Sequence, residues 1–160
     1  MGDTIVVVSG YFNPLHAGHL QYFEGARKLG SKLIVIVNND QQQILKKNRI
    51  IMRENERLRI ARALRIVDEA VLAIDHDQSV CQTLEKIAAA NKGKTIIFAN
   101  GGDRDSRTNI PETEICDRLG IEVRFGVGGT EKVNSSTDIM RELESDDSVK
   151  TRSESKEFPV

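Results

Sequence analysis

Short runs of β-branched residues alternate along the chain with longer stretches of helical period. The runs Thr4–Val8, Lys32–Val37, Glu69–Ile74, Thr95–Ala99 and Ile121–Phe125 predict strands buried on both faces, since they are near-continuously apolar. Between them the period changes. Leu20, Phe23 and Ala26 recur at helical spacing and lead to Gly30, a predicted helix stop. Leu58, Ala61, Leu64 and Val67 form a second apolar stripe, with Arg57, Arg59, Arg62 and Arg65 mostly off it. A third stripe contains Val80, Leu84, Ile87 and Ala88. A fourth helix is predicted from Pro111 to Gly120, and a fifth after Ser135-Ser136-Thr137, through Ile139, Met140 and Leu143.

That alternation predicts an α/β fold: one doubly wound, parallel, five-stranded sheet in a domain spanning 1–144. Ligands in such sheets bind beyond the C-terminal strand ends. The segments to inspect are therefore Ser9–Gly18, Asn38–Met52, Asn100–Ile110 and Gly126–Ser136, all read as loops. From Ser145 the composition turns to Ser, Asp, Lys and Glu, which predicts a disordered polar tail over 145–160.

Composition narrows the partners. The chain of 160 residues has a formal net charge of −1, so no broad cationic field exists for nucleic acid or an anionic membrane. Any polyanion must be gripped by a local cluster. Cys81 and Cys116 are the two cysteines; they lie far apart in no metal-ligand spacing, and a reducing compartment is expected. The apolar run at the N-terminus is too short for a signal segment or a span. A cytoplasmic protein is the expectation.

The chemistry-bearing residues cluster after the first strand, in Ser9-Gly10-Tyr11-Phe12-Asn13-Pro14-Leu15-His16-Ala17-Gly18-His19. Residues three apart share a helix face, so both imidazoles can address one site. Gly18 permits close backbone approach, and a helix N-terminus offers N–H groups to phosphate. A lone histidine would read as an incidental surface residue. Two of the chain's three histidines, set where ligands bind, read instead as a phosphate site. A metal pair is less well supported, because no third ligand stands nearby in sequence. The second cluster is Asn134-Ser135-Ser136-Thr137-Asp138-Ile139-Met140-Arg141. Hydroxyls at a helix start commonly serve as caps, but three in a row with Arg141 a turn further also suit an anion cradle.

Gly10–His19 resembles the G-x-F-x-x-x-H-x-G-H signature of the cytidylyltransferase-like nucleotidyltransferases, and Ser135–Arg141 resembles their S-S-T-x-x-x-R signature. The resemblance covers roughly residues 4–144 and implies a Rossmann-like nucleotidyltransferase fold. It places His16, His19 and Lys46 in catalytic roles on the triphosphate, with Lys47 and Arg49 as alternatives to Lys46. It assigns nucleotide binding to Gly10, Tyr11, Phe12, Asn13, Gly18, Asn100, Gly101, Gly102, Asp103, Ser135, Ser136, Thr137 and Arg141, and acceptor binding to Arg57, Arg65 and Asp40. The nearest branches are the glycerol-3-phosphate cytidylyltransferases and the heptose-1-phosphate adenylyltransferases. Asn13 stands where the glycerol-phosphate branch has Asp, and Gly129 where it has Arg.

The implied reaction transfers a nucleoside monophosphate from an NTP to a phosphorylated small molecule, releasing pyrophosphate. CTP with a polyol or sugar phosphate is the expectation, and ATP with a sugar phosphate or nucleotide the alternative. Mg2+ or another divalent cation and a homodimer are also implied. A flavin acceptor is not expected from five Phe, two Tyr and no Trp. No nucleophilic side chain is required, because an acceptor phosphate with a second pKa of about 6 is already a dianion at neutral pH. Charge neutralisation and alignment are what the reaction lacks. Two other classes are weaker: a dinucleotide-dependent oxidoreductase lacks the G-x-G-x-x-G after the first strand, and a non-catalytic nucleotide sensor would not need both histidines.

Overall fold

The structure is a computed structural model that describes residues 3–101 and 110–129. Gly102, Asp103, Ser135, Ser136, Thr137, Arg141, the helix expected after Thr137 and the tail over 145–160 lie outside the described residues. The elements run β1 (Thr4–Gly10), α1 (Ala17–Arg27), β2 (Lys32–Val37), α2 (Asp40–Lys47), α3 (Glu54–Ala63), β3 (Glu69–Leu72), α4 (Cys81–Ala90), β4 (Thr95–Gly101), α5 (Glu112–Leu119) and β5 (Glu122–Val127). All strand pairs are parallel, in the order β3-β2-β1-β4-β5. The fold is the expected Rossmann-like α/β sheet.

Strand alternation splits the core in two. Ile5 and Val7 of β1 point with Ile34 and Ile36 toward Leu84, Ile87 and Cys116 of α4 and α5. Val6 and Val8 point the other way, with Leu33, Val35 and Val37, toward Phe23 and Ala26 of α1 and Ala61 of α3. Burial on both faces is why these strands read as continuous apolar runs. Among the described residues no helix is long and apolar enough to cross a membrane.

The sheet has a switch point. From β1 the chain winds outward through β2 to β3, then returns to β4 beside β1 and continues to β5. Crevices form beyond the C-terminal strand ends at such a reversal, and here the β1 and β4 exits frame one.

Three expectations change. Residues 40–47, expected within a loop, form α2. Asn39 caps this helix, accepting from Gln42 N, while the Gln42 side chain accepts from Asn39 N; Asn48 closes it in the left-handed region at φ 61°. That reciprocal Asn-x-x-Gln arrangement is a capping box. The second apolar stripe outruns its helix: α3 ends at Ala63, Leu64 is extended at ψ 130°, and Val67 packs into the core from the following turn. Gly30 does not terminate α1, whose C-cap is Lys28. Glycine is required at position 30 because a Cβ there would stand 2.5 Å from the Thr4 carbonyl.

Candidate nucleotide-binding site

The site begins where β1 ends. Phe12 takes a left-handed backbone at φ 52°, a conformation that side-chain-bearing residues seldom adopt, and its ring folds back over Gly10. A Cβ on Gly10 would lie 2.7 Å from that ring, so glycine here makes room for Phe12. The ring, 3% exposed, meets His19 edge-on at 4.9 Å and Phe23 at 5.3 Å. Phe12 therefore supports His19 from beneath. Asn13 is also buried, and its amide donates to Gln43 Oε1 at 2.9 Å.

The two histidines cap α1 together. His16 is the N-cap and His19 the N3 residue of a capping box. Gly18 N donates to His16 Nδ1 at 3.1 Å, and His16 N donates to His19 Nδ1 at 3.1 Å. Both Nδ1 atoms are thus acceptors, which fixes the proton of each neutral imidazole on Nε2. The rings stack at 3.9 Å. Burial lowers the pKa of His16, while burial together with the neighbouring His16 lowers that of His19 to about 3. At neutral pH the pair is uncharged and presents two Nε2–H donors at a helix start with no acidic residue in its first turn. That arrangement suits an anion: the donors need no proton transfer, and the helix dipole adds partial positive charge.

A buried polar frame holds this loop. Arg57 is 1% exposed. It donates from Nε to Met52 O, from Nη1 to Tyr11 O and Asn38 O, and from Nη2 to Asp40 Oδ1 at 2.9 Å. Gln43, fully buried, accepts from Asn13 and Ile51 N and donates to Asp40 Oδ1 and Met52 O. Gln42 accepts from the Asn38 amide and donates to the carbonyls of Asp77 and Ser79. Lys46 places its ammonium 4.5 Å from the centroid of the Tyr11 ring.

The structure gathers Gly10, Tyr11, Phe12, Asn13, His16, Gly18 and His19 at the β1 exit, with Asp40, Lys46 and Arg57 beside them. Asn100 and Gly101 end the adjacent β4, where Asn100 is 4% exposed and donates to Arg124 O at 3.3 Å. Arg65 is not brought there. It occupies the exposed turn that leads into β3, at the N-terminal edge of the sheet, because α3 stops short of it. Arg57 is at the site, but four of its five N–H bonds are committed to protein acceptors, so it braces the loops. Sequence reasoning missed Gln42 and Gln43; the Asn39-x-x-Gln42 capping pattern could have shown Gln42. Among the described residues no group of three or more His, Cys, Asp or Glu converges as a metal site.

The cytidylyltransferase-like family model matches residues 7–142. The chain belongs to this family. A FAD synthase of Methanothrix thermoacetophila is 45% identical over 115 residues, covering 72% of this chain and 74% of that protein. A FAD synthase of Archaeoglobus profundus is 42% identical over 72 residues, covering 45% of this chain and 46% of that protein. The chain thus spans about half the length of several curated relatives. The crystal structure of a lipopolysaccharide core biosynthesis protein from Thermoplasma volcanium superposes with a TM-score of 0.64 at 27% identity, covering 83% of this chain and all of that one. As a cytidylyltransferase-like protein, the chain is a nucleotidyltransferase-type fold with its histidine motif at the sheet's switch point.

Proposed function

We propose that this protein is an adenylyltransferase: it transfers AMP from ATP to the phosphate of a phosphorylated acceptor, with flavin mononucleotide the first acceptor to test. The observation that carries the transfer chemistry is the His16–His19 pair, two neutral Nε2–H donors fixed at the start of α1. The acceptor phosphate oxygen attacks the α-phosphorus, and the bond from that phosphorus to the bridging oxygen breaks. Pyrophosphate leaves with its electron pair. His16 and His19 donate hydrogen bonds as negative charge builds on the α-phosphate, and Lys46 neutralises the departing phosphates.

The choice of ATP over CTP rests on the FAD synthases among the relatives, since FAD is AMP joined to a flavin mononucleotide. It displaces the expectation of a cytosine nucleotide. The scarcity of aromatic residues does not weigh against a flavin, because aliphatic and backbone surface can also cover a planar ring by non-directional burial. A divalent cation accompanying ATP would take its ligands mainly from phosphate oxygens and water. Asp40 Oδ1 is already held by Arg57 and Gln43.

The test is a matrix of ATP, CTP, GTP and UTP against flavin mononucleotide, glycerol 3-phosphate and a sugar 1-phosphate, with Mg2+, read by pyrophosphate release. ATP with flavin mononucleotide is expected to give pyrophosphate and FAD in equal amounts. A kcat/KM for CTP ten times that for ATP would overturn the adenylyl reading, and nucleotide binding without pyrophosphate from any pair would make the protein a sensor.

A further inference from the structure

Phe12 holds a backbone conformation that its side chain makes costly. It is left-handed at φ 52°, and a bulky residue persists there only where its surroundings over-determine it. The gain is the place of its ring. Buried to 3% exposure, the ring lies against Gly10, where Cε1 and Cζ would stand 2.7 Å from an added Cβ. It meets fully buried Phe23 at 5.3 Å and His19 at 4.9 Å, the latter at an interplanar angle of 85°. Phe23 follows His19 by one turn of α1, so the two share a helix face. On the same imidazole His16 stacks at 3.9 Å. His19 is therefore held by the hydrogen bond to its Nδ1 and by the rings of His16 and Phe12.

We propose that Phe12 is a positioning residue: it acts on the reaction through the aim of His19 without touching nucleotide, and Gly10 is glycine to admit its ring. This rests on the nucleotidyl-transfer reading above for its kinetic consequence. The family resemblance assigns both residues to nucleotide binding, but a ring 3% exposed has almost no surface to offer a ligand. The second side-chain torsion of a histidine is broad, so a hydrogen bond to Nδ1 alone leaves the imidazole free to rock about it. Aromatic pairs have preferred geometry, and the Phe12 ring removes that freedom before substrate arrives. A donor aimed in advance needs no reorganisation as charge develops on the α-phosphate.

The test joins a double-mutant cycle to NMR of protein labelled at the histidine ring nitrogens. Phe12→Leu keeps an apolar side chain and removes Cε1 and Cζ. It lowers kcat about fivefold, the scale of one aromatic pair, and leaves the dissociation constant for ATP within about twofold. Gly10→Ala, which drives a Cβ into the ring, also lowers kcat in the wild type. In the Phe12→Leu background it adds no further loss, because the two clashing atoms are gone. In the spectra His19 is a single tautomer in the wild type, protonated on Nε2, and averages toward both tautomers in Phe12→Leu and in Gly10→Ala. An equal loss from Gly10→Ala in both backgrounds would set Gly10 against the nucleotide and overturn the proposal. So would an unchanged kcat in Phe12→Leu, a loss of ATP affinity as large as the loss in kcat, or averaged His19 tautomers in the wild type. Should Phe12→Leu fail to fold, the wild-type and Gly10→Ala spectra still decide. Absence of turnover with ATP and flavin mononucleotide would remove the adenylyl reading and leave the spectra to judge the aim of His19.

Discussion

The interior of β1 and β2 and the polar frame at their C-terminal ends are buried equally and held differently. Ile5, Val6, Val7 and Val8 are 0% exposed, and so are Gln42 and Gln43, with Arg57 at 1%. The strand residues gain about 1.5–3 kcal/mol each from leaving water, with no demand on direction. The frame gains only about 1 kcal/mol net per hydrogen bond, yet each buried group left unpaired costs about 1–3 kcal/mol. The apolar half thus tolerates swaps that conserve volume, while the polar half fails when one partner is lost. The histidine loop is fastened to the directional half: Tyr11 through Arg57, and Asn13 through Gln43. A loop that must present two Nε2–H groups at defined angles needs that kind of fastening.

The sharpest way to break the comparison is Arg57→Met. It strands the carbonyls of Tyr11 and Asn38, leaves Met52 O with the Gln43 amide alone and leaves Asp40 without its cation, so a loss of about 3–5 kcal/mol in urea unfolding is expected. A loss below 1 kcal/mol would make the frame as forgiving as the strands. Next in size, His16→Ala and His19→Ala each lower kcat at least ~10²-fold while changing ATP affinity less, because the contacts strengthen as charge develops. Turnover equal to wild type would remove the histidines from the chemistry.

A third effect follows from the lowered pKa of His19. The unfolded chain takes up this proton below its ordinary value of 6.5, whereas the folded protein does so only near 3. In that window the unfolded state binds more protons, so stability falls as pH falls from 6.5 toward 3. His19→Gln, which cannot titrate, should show a shallower decline in thermal unfolding measured across that range; an unchanged slope would assign the loss to other groups. The smallest effect tests the forgiving half. Ile36→Val removes one methylene from the sheet and should cost about 1 kcal/mol, with kcat unchanged in the pyrophosphate assay. A change in kcat would show that strand packing reaches the site.

The apolar strands and the histidine motif were both legible in the sequence, for opposite reasons. Lys32–Val37 is read with its observed bounds because a strand buried on two faces must be apolar throughout, and that constraint is local. His16, Gly18 and His19 are legible because the capping arrangement they form at the start of α1 uses neighbours within one turn. Tertiary structure decided what depends on distant partners. Periodicity placed Arg57 off the apolar stripe, but the carbonyl of Tyr11, 46 residues away, together with those of Asn38 and Met52, made burial the better place for its guanidinium. The same distance hid Gln43, whose partner Asn13 lies 30 residues back, and α3 ending at Ala63 left Arg65 at the wrong edge. Hydrophobic pattern reports how much surface leaves water; which polar group meets which is decided by direction and distance, and those exist only once the chain has folded.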